Sequence, residues 1–189
     1  MKKSIGVNTE IFPNPVFIVG TYDKNGKANA VNLAWGGIAS SGPESIAIAV
    51  RPSRYTHENL LETRAFTINL PSAKYVEEAD YFGIVSGRDV DKFEVTGLTP
   101  VKGDYVNAPY IEEFPINLEC EVTEIIELGV HTLFIGAVKD VKIDDTLVDA
   151  GKERNSVAQI LSFDNVARAY RKPGEAVAQA FSCGLKYRK

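Results

Sequence analysis

The sequence predicts a mainly β, α+β protein whose antiparallel strands close, or nearly close, into a barrel with helices packed outside. Three observations carry this. The first two-thirds of the chain is rich in short apolar runs of strand length divided by turn residues. Two long segments, Ile116–Leu128 and His131–Ile143, flank Gly129 and read as one hairpin. In the first of them Ile116, Leu118, Cys120 and Val122 alternate with Asn117, Glu119, Glu121 and Thr123, giving one dry face and one wet face. About six antiparallel strands with a few helices suit a barrel better than an open layer.

Taken in order, Pro15–Tyr22 is an apolar strand, and Asn25-Gly26 supplies the hairpin turn to Ala28–Trp35. On that return strand Asn29 and Trp35 share one parity and Asn32 the other. Gly36-Gly37 frees the chain for a bend, Ser40–Pro43 reads as a loop, and Ser45–Val50 as a buried strand. Pro52 then stops the strand, Ser53 is placed to cap a helix, and Leu60 and Leu61 begin its apolar face. Ala65–Leu70 alternates as a half-buried strand. Over 72–82 Tyr75, Ala79 and Phe82 recur at helical spacing, and Asp91-Lys92-Phe93 suits a helical turn. The stretch 100–109 reads as irregular. Beyond residue 143 come loops, helical pieces and a strand near 158–163.

Composition limits the function classes. The 189 residues suffice for one domain, read as spanning 1–189, that needs no disulfide or metal to hold its core. Two Cys (Cys120, Cys183) and two His (His57, His131) sit far apart, which leaves no ligand cluster for zinc and few ways to build a nucleophilic triad. A net charge of −4 argues against a nucleic-acid partner. No apolar run reaches the roughly 18 residues of a membrane span. The start lacks the apolar core of a signal peptide, so the protein reads as cytoplasmic. The charge is uneven: residues 77–124 carry 12 acids and 3 bases, and 170–189 carry five bases and one acid. An acidic middle could meet a basic tail within the chain or across a dimer; the plainer alternative is a solvated acidic face.

The strongest chemical signal is Arg51 to Asn59. Two arginines, the hydroxyls of Ser53 and Thr56, and a helix start lie within nine residues. Free N–H groups, the helix dipole and forked guanidinium donors together suit a phosphate. The alternative is a capped surface helix with two solvated arginines. Asn29, Asn32 and Trp35, followed by Ser40-Ser41, form a second constellation that could line a slot, although a lone Trp more often fills a core or an interface. Lys92 lies beside acids, so a surface ion pair is its plain reading. His131 opens a strand and is the one weak candidate for a catalytic role, the catalytic residues being otherwise unassigned. Cys120 reads as core, and Cys183 as a free thiol near a basic tail. Rossmann and P-loop glycine motifs are missing from the sequence.

In this order the pieces resemble the flavin reductase-like family with the FMN-binding split-barrel fold, most of all its flavoredoxin branch. The resemblance rests on Phe12–Val16, Gly26–Trp35, Arg51–Asn59, Gly87–Phe93 and His131–Gly136, and runs from about Phe12 to about Tyr187. It implies a Greek-key antiparallel split β-barrel and a homodimer holding one FMN per protomer. It places Arg54, Thr56, Ser53 and Asn59 at the FMN phosphate, and Arg51 is a further cofactor-binding candidate. Asn29, Asn32, Trp35, Ser40 and Ser41 fall around the ribityl chain and ring. Lys92, His131 and Phe163 border the flavin or its substrate. Asn32 departs from the family, which often has Thr there. Two activities are implied: a reductase taking hydride from NADH or NADPH, and an electron carrier serving a redox protein partner. A flavin- or heme-binding module without turnover and a purely structural barrel dimer stand as rivals. A bound flavin would carry the redox chemistry itself, which suits a chain poor in His and Cys.

Overall fold

The computed structural model describes residues 1–188. Its strands are β1 (Asn14–Pro15), β2 (Phe17–Tyr22), β3 (Ala28–Leu33), β4 (Gly36–Ser41), β5 (Glu44–Val50), β6 (Ala65–Leu70), β7 (Pro100–Lys102), β8 (Pro109–Ile111), β9 (Ile116–Leu128), β10 (His131–Ile143), β11 (Ser162–Asp164) and β12 (Ala169–Arg171). The helices are α1 (Tyr55–Thr63), α2 (Val76–Ile84), α3 (Lys92–Thr96), α4 (Asp145–Val148) and α5 (Arg154–Ala158). Seven strands form one antiparallel sheet in the order β3-β2-β6-β9-β10-β5-β4, and β1, β11 and β12 form a small second sheet.

The large sheet rolls into a barrel because its inward residues share one core. Val31 near one edge, Ile48 near the other, and Val19, Phe66, Cys120 and Phe134 between them meet in a single buried cluster. The edge strands β3 and β4 are not hydrogen-bonded to each other, so the barrel is split. β5 and β6 are consecutive in the chain yet separated by β9 and β10, and α1 makes that crossing. A second cluster covers the outside of β2 and β3. There Ile18 and Ala30 pack under Ala79 and Phe82 of α2 and Phe93 of α3, as the helical spacing anticipates. Cys120 is buried, and burial pushes its thiol up to about 12, which makes it an inert core residue.

The interior is filled to the point where one methyl matters. A Cβ on Gly136 would sit 2.5 Å from the Phe66 ring and 3.1 Å from Cys120 Cβ. Gly136→Ala is therefore expected to destabilise the protein by about 1–3 kcal/mol. A fall in the urea midpoint at unchanged slope checks this, and an unchanged midpoint would count against it.

Several boundaries differ from the sequence reading. Ser40 and Ser41 are strand, because β4 pairs with β5 out to Ser41–Glu44, which leaves only Gly42-Pro43 as the turn. Gly36-Gly37 begin that strand, and the irregularity falls between Ile38 and Ser40. Arg54, not Ser53, is the N-cap of α1. The late strand is β11, displaced past α5. The wet face of β9 is partly dry: Glu119 is buried and accepts from the backbone N–H groups of Asp104, Tyr105 and Val106. Burial alone would raise its carboxyl, but bonds from Lys142, Tyr105 and Asp104 outweigh that and hold it below the usual range. Among the described residues, no ion pair joins the basic tail to the acidic middle.

Candidate functional site

The start of α1 opens onto a small crevice. No side chain caps the helix, so its first N–H groups are left for another partner. Ser53, Arg54, Tyr55 and Thr56 form one wall of the crevice, and Ser86, Gly87, Lys92 and Asn29 the other. Asn29 Nδ2 donates to Thr56 Oγ1 at 3.0 Å, so the Thr56 hydroxyl keeps its own proton to give. The Asn29 amide oxygen is buried without a partner. Gly87 belongs here because any Cβ at this position would overlap that oxygen. The single acid in the first turn, Glu58, is taken up by Arg88 at 2.8 Å, and Arg88 also donates to the Ser53 carbonyl at 3.1 Å. The crevice thus keeps its positive character.

Lys92 is only 4% exposed and is not the surface ion pair its acidic neighbours suggest. Its Nζ donates to the Ala30 carbonyl at 2.6 Å and the Phe82 carbonyl at 2.9 Å, tying β3 to the last turn of α2. Asp91 spends its own carboxylate on capping α3 and on Lys27. Burial, and after it the Arg54 charge, together lower the Lys92 ammonium to about 8. Two cations repelling across one crevice favour an anion between them.

Arg54 also borders a larger cleft of about 450 Å³, lined by Asn32, Trp35, Arg51, Asp80, Gly83, His131, Phe163 and Tyr170 among others. That size suits a small-molecule ligand. Strand parity explains how β3 serves both spaces. Asn29 points toward α1, while Asn32 points out toward α2, donating to the Ala79 carbonyl at 2.9 Å and to Tyr170 Oη at 3.1 Å. Arg51 Nε reaches His131 Nε2 at 3.5 Å, which brings together two residues 80 positions apart. Phe163 supplies an aromatic wall and packs at 5.7 Å against Tyr170. Trp35 is 46% exposed and is not core.

Three predicted residues lie elsewhere. Asn59 is buried one turn into α1 and donates to Thr21 Oγ1 at 3.1 Å, so it braces the helix on β2. Ser40 and Ser41 sit at the turn end of β4, away from Trp35.

The family model for the flavin reductase like domain matches residues 9–158. The chain belongs to the flavin reductase-like family. Among solved structures, this family member resembles the flavoredoxin of Desulfovibrio vulgaris (Miyazaki F), with 45% identity and a TM-score of 0.91, covering 97% of this chain and all of that one. It resembles the flavoredoxin from Methanosarcina acetivorans at 29% identity and a TM-score of 0.90, covering 98% of this chain and all of that one. An uncharacterized protein of Aeropyrum pernix is 35% identical over 130 residues, 68% of this chain and 49% of its own length. The chain thus spans about half of that relative.

Within this flavin reductase-like site, Asp80, Gly83, Tyr170, Ser86 and Gly87 were not singled out from the sequence as site residues. Gly87 opens the stretch Gly87–Phe93, in which nothing local to the sequence gives it a role of its own. Asp80 and Tyr170 come from α2 and β12, 90 positions apart, and no spacing signals their meeting.

Proposed function

We propose that the crevice and cleft together hold FMN, and that the protein is an FMN-binding oxidoreductase. It takes hydride or electrons at the bound flavin and passes them to a flavin, a small molecule or a protein. The observation that carries this is the buried, unpartnered Asn29 oxygen beside an uncapped helix start and two cations. An anionic phosphate suits the helix N–H groups, Arg54 and the Thr56 hydroxyl. A ribityl hydroxyl suits the Asn29 acceptor. Asn32, Trp35, His131 and Phe163 then line the space for the ring, and Arg51 adds positive charge beside it. When bound, FMN supplies the two-electron chemistry. The chain's own residues bind it, orient it and hold donors and charge around it.

A yellow protein that releases FMN on denaturation supports this reading. A colourless one that takes up no FMN contradicts it. A second reading, an electron carrier that does not oxidise NADH or NADPH, is supported by the 45% identity to a flavoredoxin over nearly the whole chain. Stopped-flow mixing separates the two: rapid bleaching by either nucleotide favours the reductase, and no bleaching favours the carrier. We further propose a homodimer. It is supported by the edge strand β4, whose Ile38 is 82% exposed beside an apolar groove. Sedimentation reads it out, with Ile38→Lys expected to give monomers.

Lys92 makes affinity depend on pH. A phosphate dianion in the crevice binds the proton of Lys92 more tightly into the complex than into the free protein. FMN affinity is therefore full below the free-state value of about 8 and falls as pH rises through it. Fluorescence titration from pH 7 to 10 is expected to show this decline for FMN and a flat profile for riboflavin. A decline that persists in Lys92→Met would assign it to another group.

A further inference from the structure

We propose that Asp80 is a positioning residue that acts on the flavin cleft through Tyr170 and Asn32. The inference rests on reading the cleft as a flavin site. The direction of each bond in the chain follows from chemistry alone. Asn32 lies 2.9 Å from the Ala79 carbonyl, which can only accept, so the amide nitrogen must face it. The second amide proton goes to Tyr170 Oη at 3.1 Å. Tyr170 has one proton to give, and Asp80 Oδ1, at 2.8 Å, is a carboxylate that can only accept it. Both amide protons of Asn32 are thus spent inside the protein, and its oxygen is the atom left to meet a ligand.

All three residues line the cleft, and they arrive from β3, α2 and β12. Gly83 lets α2 press against Asn32: a Cβ there would lie 3.3 Å from Asn32 Cβ, so the amide has little room to swing. Burial pushes the Tyr170 hydroxyl up, and Asp80 adds to the effect, so the proton stays on the tyrosine. Hydrogen bonds in series polarise one another. The carboxylate draws on the tyrosine proton, the tyrosine oxygen draws on the amide proton, and the amide oxygen becomes a stronger acceptor facing the flavin. The cleft thus presents an acceptor of fixed direction, strengthened by a charge two hydrogen bonds away.

A double-mutant cycle on the midpoint potential of bound FMN tests this. Asp80→Asn removes the charge, and Tyr170→Phe removes the link while leaving the charge in place. Each is expected to favour the anionic reduced flavin over the oxidised form by about tenfold, a rise of about 30 mV for a two-electron couple. The double variant is expected to rise no further than the singles. A Tyr170→Phe protein at the wild-type potential, or shifts that add, would overturn the relay and leave Asp80 acting only through space. Loss of the β12 to α2 tie lowers the melting temperature but does not by itself move a potential. Should Tyr170→Phe fail to fold, Asn32→Ala serves the same cycle, because Asp80→Asn then has nothing to act through. A wild-type chain that binds no FMN overturns the cofactor reading and this proposal with it. Wild-type binding with unshifted variants overturns the relay alone.

Discussion

Arg54→Ala protein is expected to bind FMN about 10- to 100-fold more weakly than the wild type and to bind riboflavin almost as before. Hydrogen bonds to a charged group contribute about 1.5–3 kcal/mol, which is the origin of that range. Arg54 stands where the crevice meets the cleft, so its loss removes charge from both. Comparing the two ligands isolates the part owed to the phosphate, which riboflavin lacks. Thr56→Ala is expected to show the same asymmetry at the lower end of that range, because only the phosphate and not the hydroxyl is charged. Parallel fluorescence titrations give both ratios. Equal losses for FMN and riboflavin would place the phosphate somewhere other than the start of α1.

Gly87→Ala is expected to cost more, about 100-fold or beyond in FMN affinity, and to spare riboflavin less. The added methyl overlaps the Asn29 amide oxygen and comes within 3.3 Å of the Tyr55 ring. Neither neighbour is free to yield. Asn29 is held by Thr56, and the Tyr55 hydroxyl is held by Asp23 at 2.8 Å. The crevice measures only about 60 Å³, so one methyl takes up much of it. Overpacking of this kind costs about 1–3 kcal/mol before any ligand contact is lost. Protein that purifies with the wild-type complement of flavin would show that Gly87 is not part of the cradle.

Local signals were legible in the sequence and distant ones were not. The crevice was readable because Arg54, Thr56 and the helix start lie within a few residues, and a helix N-terminus has the same chemistry in any fold. The opposite orientations of Asn29 and Asn32 followed from strand parity alone. The capping residue was misread by one position, because Ser53 has the chemistry of a cap while the backbone of Arg54 has its geometry. Lys92 looked like a surface residue because its sequence neighbours are acids. Its real partners are the carbonyls of Ala30, 62 positions away, and Phe82. Glu119 looked wet for the same reason, since the loop that covers it is placed by the fold and not by the strand pattern. Asp80 and Tyr170 carry no motif, and only the packing of the small sheet against α2 makes them partners.

Arg88 joins Glu58 on α1 to the Ser53 carbonyl before the helix and lies over the Tyr55 ring, so a single exposed side chain ties down one wall of the crevice. An exposed pair of this kind contributes little to stability and is screened by dissolved ions. Ionic strength therefore acts on cofactor retention twice, by weakening attraction for the phosphate and by loosening the latch beside it. The dissociation rate should climb with salt more steeply than the charge on the ligand alone requires. Arg88→Met should flatten that climb while leaving the fold intact.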